Sequence, residues 1–152
     1  MNLNLLKQRL LAECKRYVAS RIATANQSMI NAQQAANEED KSSVGDKYET
    51  TRAMMQIERD KAAQQLDEAL KLKNIIDQIS IEIASEKIIL GSLVITNSKK
   101  IFISIGLGKL SLDGEEFLVV APGSPLGKQL MGLKVNDETI FNKERLTILQ
   151  IG

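Results

Sequence analysis

Asp46 and Glu49 are the side chains of this chain best placed to do chemistry. They stand three positions apart within residues 37–52, NEEDKSSVGDKYETTR, between two long runs of helix-forming residues. On a helix that spacing brings two carboxylates one turn apart on neighbouring positions. Two hard oxygen donors, completed by water, suit part of a magnesium shell. Between Asn37 and Thr50 five acids (Glu38, Glu39, Asp40, Asp46, Glu49) meet two bases (Lys41, Lys47), a net charge of −3. A turn of that charge at the end of a helical pair holds carboxylates away from the body of the protein, where another protein's catalytic cavity could receive them. Capping accounts for the same spacing equally well. Asp46 follows Gly45 as an N-cap would, and Glu49 three positions on completes a D-x-x-E capping pattern. Both acids would also favour the positive end of the second helix.

Other chemistries are excluded by composition. The 152 residues contain no histidine, which removes histidine-based nucleophilic and acid–base catalysis and histidine zinc sites. Cys14 is the only cysteine, so an internal disulfide or thiolate cluster cannot form. A formal net charge of +1 argues against binding naked nucleic acid through a basic surface, and no sequence-specific DNA binding is expected. Charge is nonetheless segregated: residues 1–37 carry Lys7, Arg9, Lys15, Arg16 and Arg21 against Glu13 alone. No run of about 18 apolar residues could span a membrane, and nothing resembles a signal peptide, so the expected location is cytoplasmic.

The elements that must position Asp46 and Glu49 are two helices. Residues 3–36 contain neither proline nor glycine, and Val18, Ile22, Ala25, Met29, Ala32 and Ala36 recur at alternating spacings of four and three. Gly45 and the Ser42–Ser43 pair mark a break. A second helix is predicted over 47–79, with Met55, Ala62, Leu66, Ala69, Ile76, Ile79 and Ile83 on its seam and Arg59 and Lys73 interrupting it. Two helices of about 33 residues, each about 50 Å long, joined by a short connection make an antiparallel hairpin. Its seam thins to alanine towards the acidic turn.

After Ser85 the period changes. Residues 87–96, 100–105, 116–121, 139–142 and 145–151 read as strands, with Gly91 a bulge or close-approach site and Asp113–Gly114 a turn. Ser124 reads as N-cap and Pro125 as first residue of a short helix that Gly132 closes. The chain is therefore expected to be α+β: an N-terminal antiparallel coiled-coil hairpin over residues 1–84, with its acidic tip near 38–49, and a small antiparallel sheet domain with one short helix over 85–152. A sheet of this size is marginal alone. Leu3, Leu6, Leu10 and Ile83 are expected to pack it against the base of the hairpin.

The run Ser124-Pro125-Leu126-Gly127-Lys128-Gln129-Leu130-Met131-Gly132-Leu133-Lys134-Val135-Asn136-Asp137-Glu138 resembles the SPxGxALxGxxxGD signature of the Gre transcript-cleavage (transcription elongation) factors. Gly91-Ser92 with Val94 resembles the strand that opens the same domain, and Ile148-Leu149-Gln150-Ile151 its final strand. Gly45-Asp46-Lys47-Tyr48-Glu49-Thr50 is similar to the family's G-D-x-x-E-N tip motif, with Thr50 in place of asparagine and Lys47-Tyr48 where the family often has Leu-Ser. Residues 104–116 stand where the family has a longer hairpin, and Asn136-Asp137 replaces Gly-Asp. Asparagine tolerates the positive φ that glycine would supply.

The resemblance implies an FKBP-like C-terminal domain and a partner, RNA polymerase. The hairpin would enter the polymerase's secondary channel. There Asp46 and Glu49 would share a Mg²⁺ with the polymerase and promote cleavage of the backtracked RNA 3′ end. The protein would then be no enzyme itself but a stimulator of the polymerase's intrinsic nuclease. Partner contacts would involve Tyr48 and Arg52 at the tip and Ser124, Pro125, Gly127 and Lys128 in the C-terminal domain. The basic face of the first helix (Lys7, Lys15, Arg16, Arg21) could track RNA or simply be solvated. Two other readings stay open: a secondary-channel regulator without cleavage activity, and a coiled-coil interaction protein unrelated to transcription. Prolyl isomerase activity would rest on fold analogy alone.

Overall fold

The computed structural model describes residues 2–42 and 46–152, with the side chains at 39–42 and 46–48 outside the description. Its elements run α1 (Leu3–Ser42), α2 (Asp46–Asp77), β1 (Leu93–Thr96), β2 (Lys100–Ile103), β3 (Gly108–Leu112), β4 (Glu115–Val120), α3 (Pro125–Leu130), β5 (Glu138–Phe141) and β6 (Glu144–Ile151). The architecture is α+β: two long helices, then a six-stranded, mostly antiparallel sheet with one short helix. The chain forms two compact units, one of Arg16–Asn74 and one of Met1–Lys15 with Ile75–Gly152.

The first unit holds the helical pair. Val18, Ala25 and Ala32 of α1 and Ala62 and Ala69 of α2 are buried, with Ile22, Met29, Ala36, Met55 and Leu66 half-buried between them. These are the spaced positions expected of a seam. An ion pair between Arg21 and Glu68 (3.7 Å) shows that the helices run antiparallel, since it joins an early residue of α1 to a late one of α2. Arg21 also lies over the Tyr17 ring, 5.9 Å from its centroid. One boundary differs from expectation. The segment read as a turn from Asn37 is helical through Ser42, so Glu38, Glu39 and Asp40 ride on the last turns of α1. Nothing before Gly45 breaks a helix there, because charged residues and serine are all tolerated.

In the second unit the strand order is β3-β4-β2-β1-β6-β5. The sheet is antiparallel as expected in every pairing but β2·β4, which is parallel. The parallel pair arises because β3, unpredicted and lying inside 104–116, takes the edge and returns the chain as β4 beside β2. The β3–β4 turn places Asp113 and Gly114 at φ 52 and 81°, the mirror-image turn that matches strand twist. Only Leu93–Thr96 of the expected strand 87–96 is β1. Gly91 interrupts it at φ 91°, where an added Cβ would lie 2.9 Å from Ile79 Cγ2, the close approach that glycine permits.

Side chains alternate across the sheet. One face, with Val94, Ile101, Ile103, Leu146 and Ile148, packs with Ile88 and with Leu126 and Leu130 of α3. The other face buries Leu93, Phe102, Ser104 and Phe117. The start of α1 belongs to this side: Leu10, Leu11 and Cys14 are buried, Cys14 Sγ lies 3.7 Å from Ser104 Oγ, and Leu3 lies against Gly152. Leu3 and Leu10 lie on this side as expected and Leu6 is half-buried, whereas Ile83 is 59% exposed and takes no part. It falls beyond the end of α2, where the helical period that would have turned it inward has stopped.

Arg9 clamps Asp113 with two hydrogen bonds of 2.5 and 3.2 Å, tying α1 to the β3–β4 turn. That hydrogen bond and the guanidinium charge hold the Asp113 carboxyl below its ordinary 3.8. A depressed folded value contributes stability that is complete above the unfolded pKa and lost as pH falls through the folded one. The expected result is a shallower loss of Tm below about pH 4 in Asp113→Asn than in wild type. The effect is small because both side chains are exposed.

Candidate functional site

The tip begins where α2 begins. Asp46 is the first residue of α2 and Glu49 lies in the same first turn, one turn along the helix surface. The Glu49 side chain is exposed, so its oxygens are open to a cation. The side chains of Asp46 and Tyr48 lie outside the described residues. Arg52, exposed one turn beyond Glu49, borders a groove of about 250 Å³ between the helices. Ala32 and Ala36 form its floor on α1, and Arg52, Met55 and Arg59 line it from α2. Small side chains on one helix leave the gap, and the two arginines, seven positions apart, project onto the same side of the other. Arg59 is legible in sequence only as an interruption of the seam. Facing alanines, that interruption marks a groove.

A magnesium site at the tip has a donor set of the right chemistry. Carboxylate oxygens are hard ligands, and magnesium is commonly held by only one or two of them beside water and phosphate oxygens. Among the described residues no three acids or other ligating side chains gather into a metal cluster.

The residues expected to meet a partner from the C-terminal domain are gathered in α3, and the structure shows what each does for the fold. Ser124 accepts a hydrogen bond from the Gly127 N–H (3.1 Å) and donates to the Ala121 carbonyl (2.7 Å). Pro125 opens the helix with a φ already suited to it. Gly127 is buried so tightly that a Cβ would fall 2.1 Å from the Ala121 oxygen. Pro125 and Lys128 are exposed and form the surface that α3 offers to solvent. Gly132 closes the helix at φ 84° and gives its N–H to the Ile88 carbonyl (2.9 Å). Asn136 takes φ 76°, and Asp137 Oδ2 accepts from the Lys134 N–H at 2.8 Å. Replacing Ser124 by alanine removes the cap and should lower stability by about 1 kcal/mol, measured by chemical denaturation.

The basic face assigned to the first helix needs one correction. Lys15 and Arg16 are exposed and Arg21 is half-buried, but Lys7 is 4% exposed and belongs to the sheet side of α1. Its position, four residues after Leu3 and three before Leu10, puts it on the apolar stripe. No helix is long and apolar enough to cross a membrane among the described residues.

Fold and tip together describe a protein of two long antiparallel helices followed by a small α+β sheet unit, with an acidic pair in the first turn of the second helix. No family model matches the chain, and no curated protein matches it in sequence. Among solved structures it is similar to the GreA factor homolog 1 (Gfh1) protein of Thermus thermophilus, at 19% identity over 90% of this chain and 93% of that one, with a TM-score of 0.36.

Proposed function

We propose that this protein is a Gre-like transcription elongation factor: it binds RNA polymerase, places its helical hairpin in the secondary channel and stimulates magnesium-dependent cleavage of backtracked RNA. The observation that carries the reading is the Asp46–Glu49 pair on the opening turn of α2, with the Glu49 carboxylate exposed. The Gre-like run from Ser124 to Glu138 supports it, since its serine, proline and glycine positions each build a feature of α3 and its exit.

In this reading the protein is not itself an enzyme. Asp46 and Glu49 would contribute part of the shell of one Mg²⁺, and the polymerase would contribute the rest. Such an ion would supply Lewis-acid stabilisation at the scissile phosphodiester, as one of the two metals of an in-line displacement. The carboxylates would orient the attacking water by hydrogen bonding, and Arg52, one turn along, would contact the polymerase. Its place of work is the cytoplasm, with the polymerase and the backtracked RNA 3′ end as partners.

The test is a cleavage assay on stalled, backtracked complexes. Wild-type protein is expected to give Mg²⁺-dependent shortening of the RNA from its 3′ end. Binding to polymerase without shortening would assign the protein to channel occlusion instead. Absence of polymerase binding would leave a coiled-coil interaction protein outside transcription.

A further inference from the structure

Glu144 opens β6 directly after the Asn142–Lys143 turn, whose two residues take φ 49 and 67°. Its carboxylate is held by the turn between β1 and β2. Ser98 Oγ donates to one oxygen, and Lys99 Nζ lies 3.5 Å from the other. The Ser98 hydrogen bond foremost, with the Lys99 charge, holds this carboxyl below its ordinary value. A hydroxyl and an ammonium thus converge on an oxyanion, and Glu144 supplies one from within the chain.

Hydrogen bonds fix the turn that carries these donors. Thr96, only 5% exposed, accepts from the N–H groups of Ser98 (3.3 Å) and Lys99 (2.8 Å) and donates to the Lys99 carbonyl (3.0 Å). Asn97 ties the turn to β6: Nδ2 donates to the Arg145 carbonyl (3.2 Å), and Oδ1 accepts from the Thr147 N–H (2.9 Å). Donors fixed in advance cost little to order when a ligand arrives.

Ser98 and Lys99 line a pocket of about 430 Å³, a size within the range of small-molecule sites. Its apolar wall is Leu118, packed against the core. Lys109 and Glu116 line it as well. Their ion pair is long, 3.8 Å, and both side chains are largely exposed, so Lys109 is held loosely. Lys100 is engaged by Glu115 (2.7 Å) and lies over the Phe117 ring, on the face opposite Leu118. The chemistry on offer is one hydroxyl and two ammonium groups beside an apolar surface, with Glu116 the one opposing charge in the lining.

We propose that the pocket at the β1–β2 turn binds a phosphate-bearing small molecule: its phosphate takes the place of the Glu144 carboxylate at Ser98 and Lys99 and draws in Lys109, and Glu144 is the built-in competitor that it displaces. The inference concerns the sheet unit and is independent of the function proposed for the tip. Exchange favours the phosphate because a dianion with three acceptor oxygens gains more from these donors than a singly charged carboxylate does.

The test is an amide NMR titration of the full chain at about pH 7.5, where a terminal phosphate is largely dianionic. The probes are pyrophosphate, ADP and adenosine, at constant ionic strength. Saturable shifts at residues 96–100 and 109 are expected with pyrophosphate and ADP and not with adenosine. Tighter binding of ADP would assign the site to an organic phosphate, and equal binding to a free oligophosphate; either upholds a phosphate site. Glu144→Gln keeps an oxygen for Ser98 and removes the competing charge, so both anions should bind about fivefold more tightly. Lys99→Met and Lys109→Met should each weaken binding about fivefold. The proposal is overturned if neither anion gives shifts beyond those of sodium chloride at matched ionic strength. It is equally overturned if Glu144→Gln binds no more tightly than wild type, the result for a carboxylate that is only a structural ion pair, or if the lysine variants bind as wild type does.

Discussion

Gly127→Ala is expected to lower the stability of the sheet-bearing unit by about 3 kcal/mol or more, through overpacking against atoms that cannot move aside. The added Cβ would lie 2.1 Å from the Ala121 carbonyl oxygen and 2.9 Å from both the Pro122 oxygen and Ser124 Oγ. Two of these are backbone atoms, and the third is the cap of the helix that Gly127 belongs to. Relief requires α3 to shift from the segment before it. That shift would break the Ser124 hydrogen bonds and withdraw Leu126 and Leu130 from the core. The strain is steric and owes nothing to glycine's dihedral freedom, because Gly127 is helical. Gly123→Ala is the control: a methyl carbon added there meets nothing within 4 Å, and the change in stability should stay within about 0.5 kcal/mol. Calorimetry of the two variants checks this. A Gly127→Ala transition within about 2 °C of wild type would show that the contact is relieved cheaply.

Loss of the tip carboxylates is expected to abolish most of the cleavage stimulation while leaving the fold and polymerase binding intact. Asp46→Asn and Glu49→Gln each keep the shape and hydrogen-bonding oxygen of the side chain and remove its charge. Asparagine caps a helix as well as aspartate does, so Asp46→Asn separates the two readings of the pair. If the acids only cap α2, Asp46→Asn cleaves like wild type. If they hold a shared magnesium, each substitution should slow cleavage by about 100-fold, the usual scale for removing one preorganised electrostatic contact to a reacting centre. Raising Mg²⁺ should recover part of the loss, because the defect is one of ion occupancy. Competition binding to polymerase should be unchanged, since the rest of the hairpin is retained. Wild-type rates in both variants would end the metal reading.

Local features are legible without coordinates. Ser124 and Pro125 announce the start of α3, Gly132 its end, and Asn136 the positive φ that follows, because each acts within three or four residues of itself. The alternating four and three spacing from Val18 to Ala36 reveals the buried side of α1 for the same reason: helical period is a local property. The end of α1 departs from expectation because an acidic run is compatible with both turn and helix, and only the absence of a breaker before Gly45 carries it to Ser42.

Tertiary structure decided the rest. β3 is missed in SIGLGKLSLDGEE although Lys109, Leu110, Ser111 and Leu112 alternate between exposed and half-buried, because so short an edge strand is defined by its partner beyond the turn, β4. The parallel β2·β4 pair is a matter of connection, which no strand's own residues encode. Lys7 and Ile83 show the same limit from opposite sides. Composition places a lysine outside and an isoleucine inside. The sheet covers the stripe on which Lys7 stands, and α2 ends before Ile83 can be turned towards anything. Which face of a helix is buried depends on what lies against it, and that is settled by residues far away in the chain.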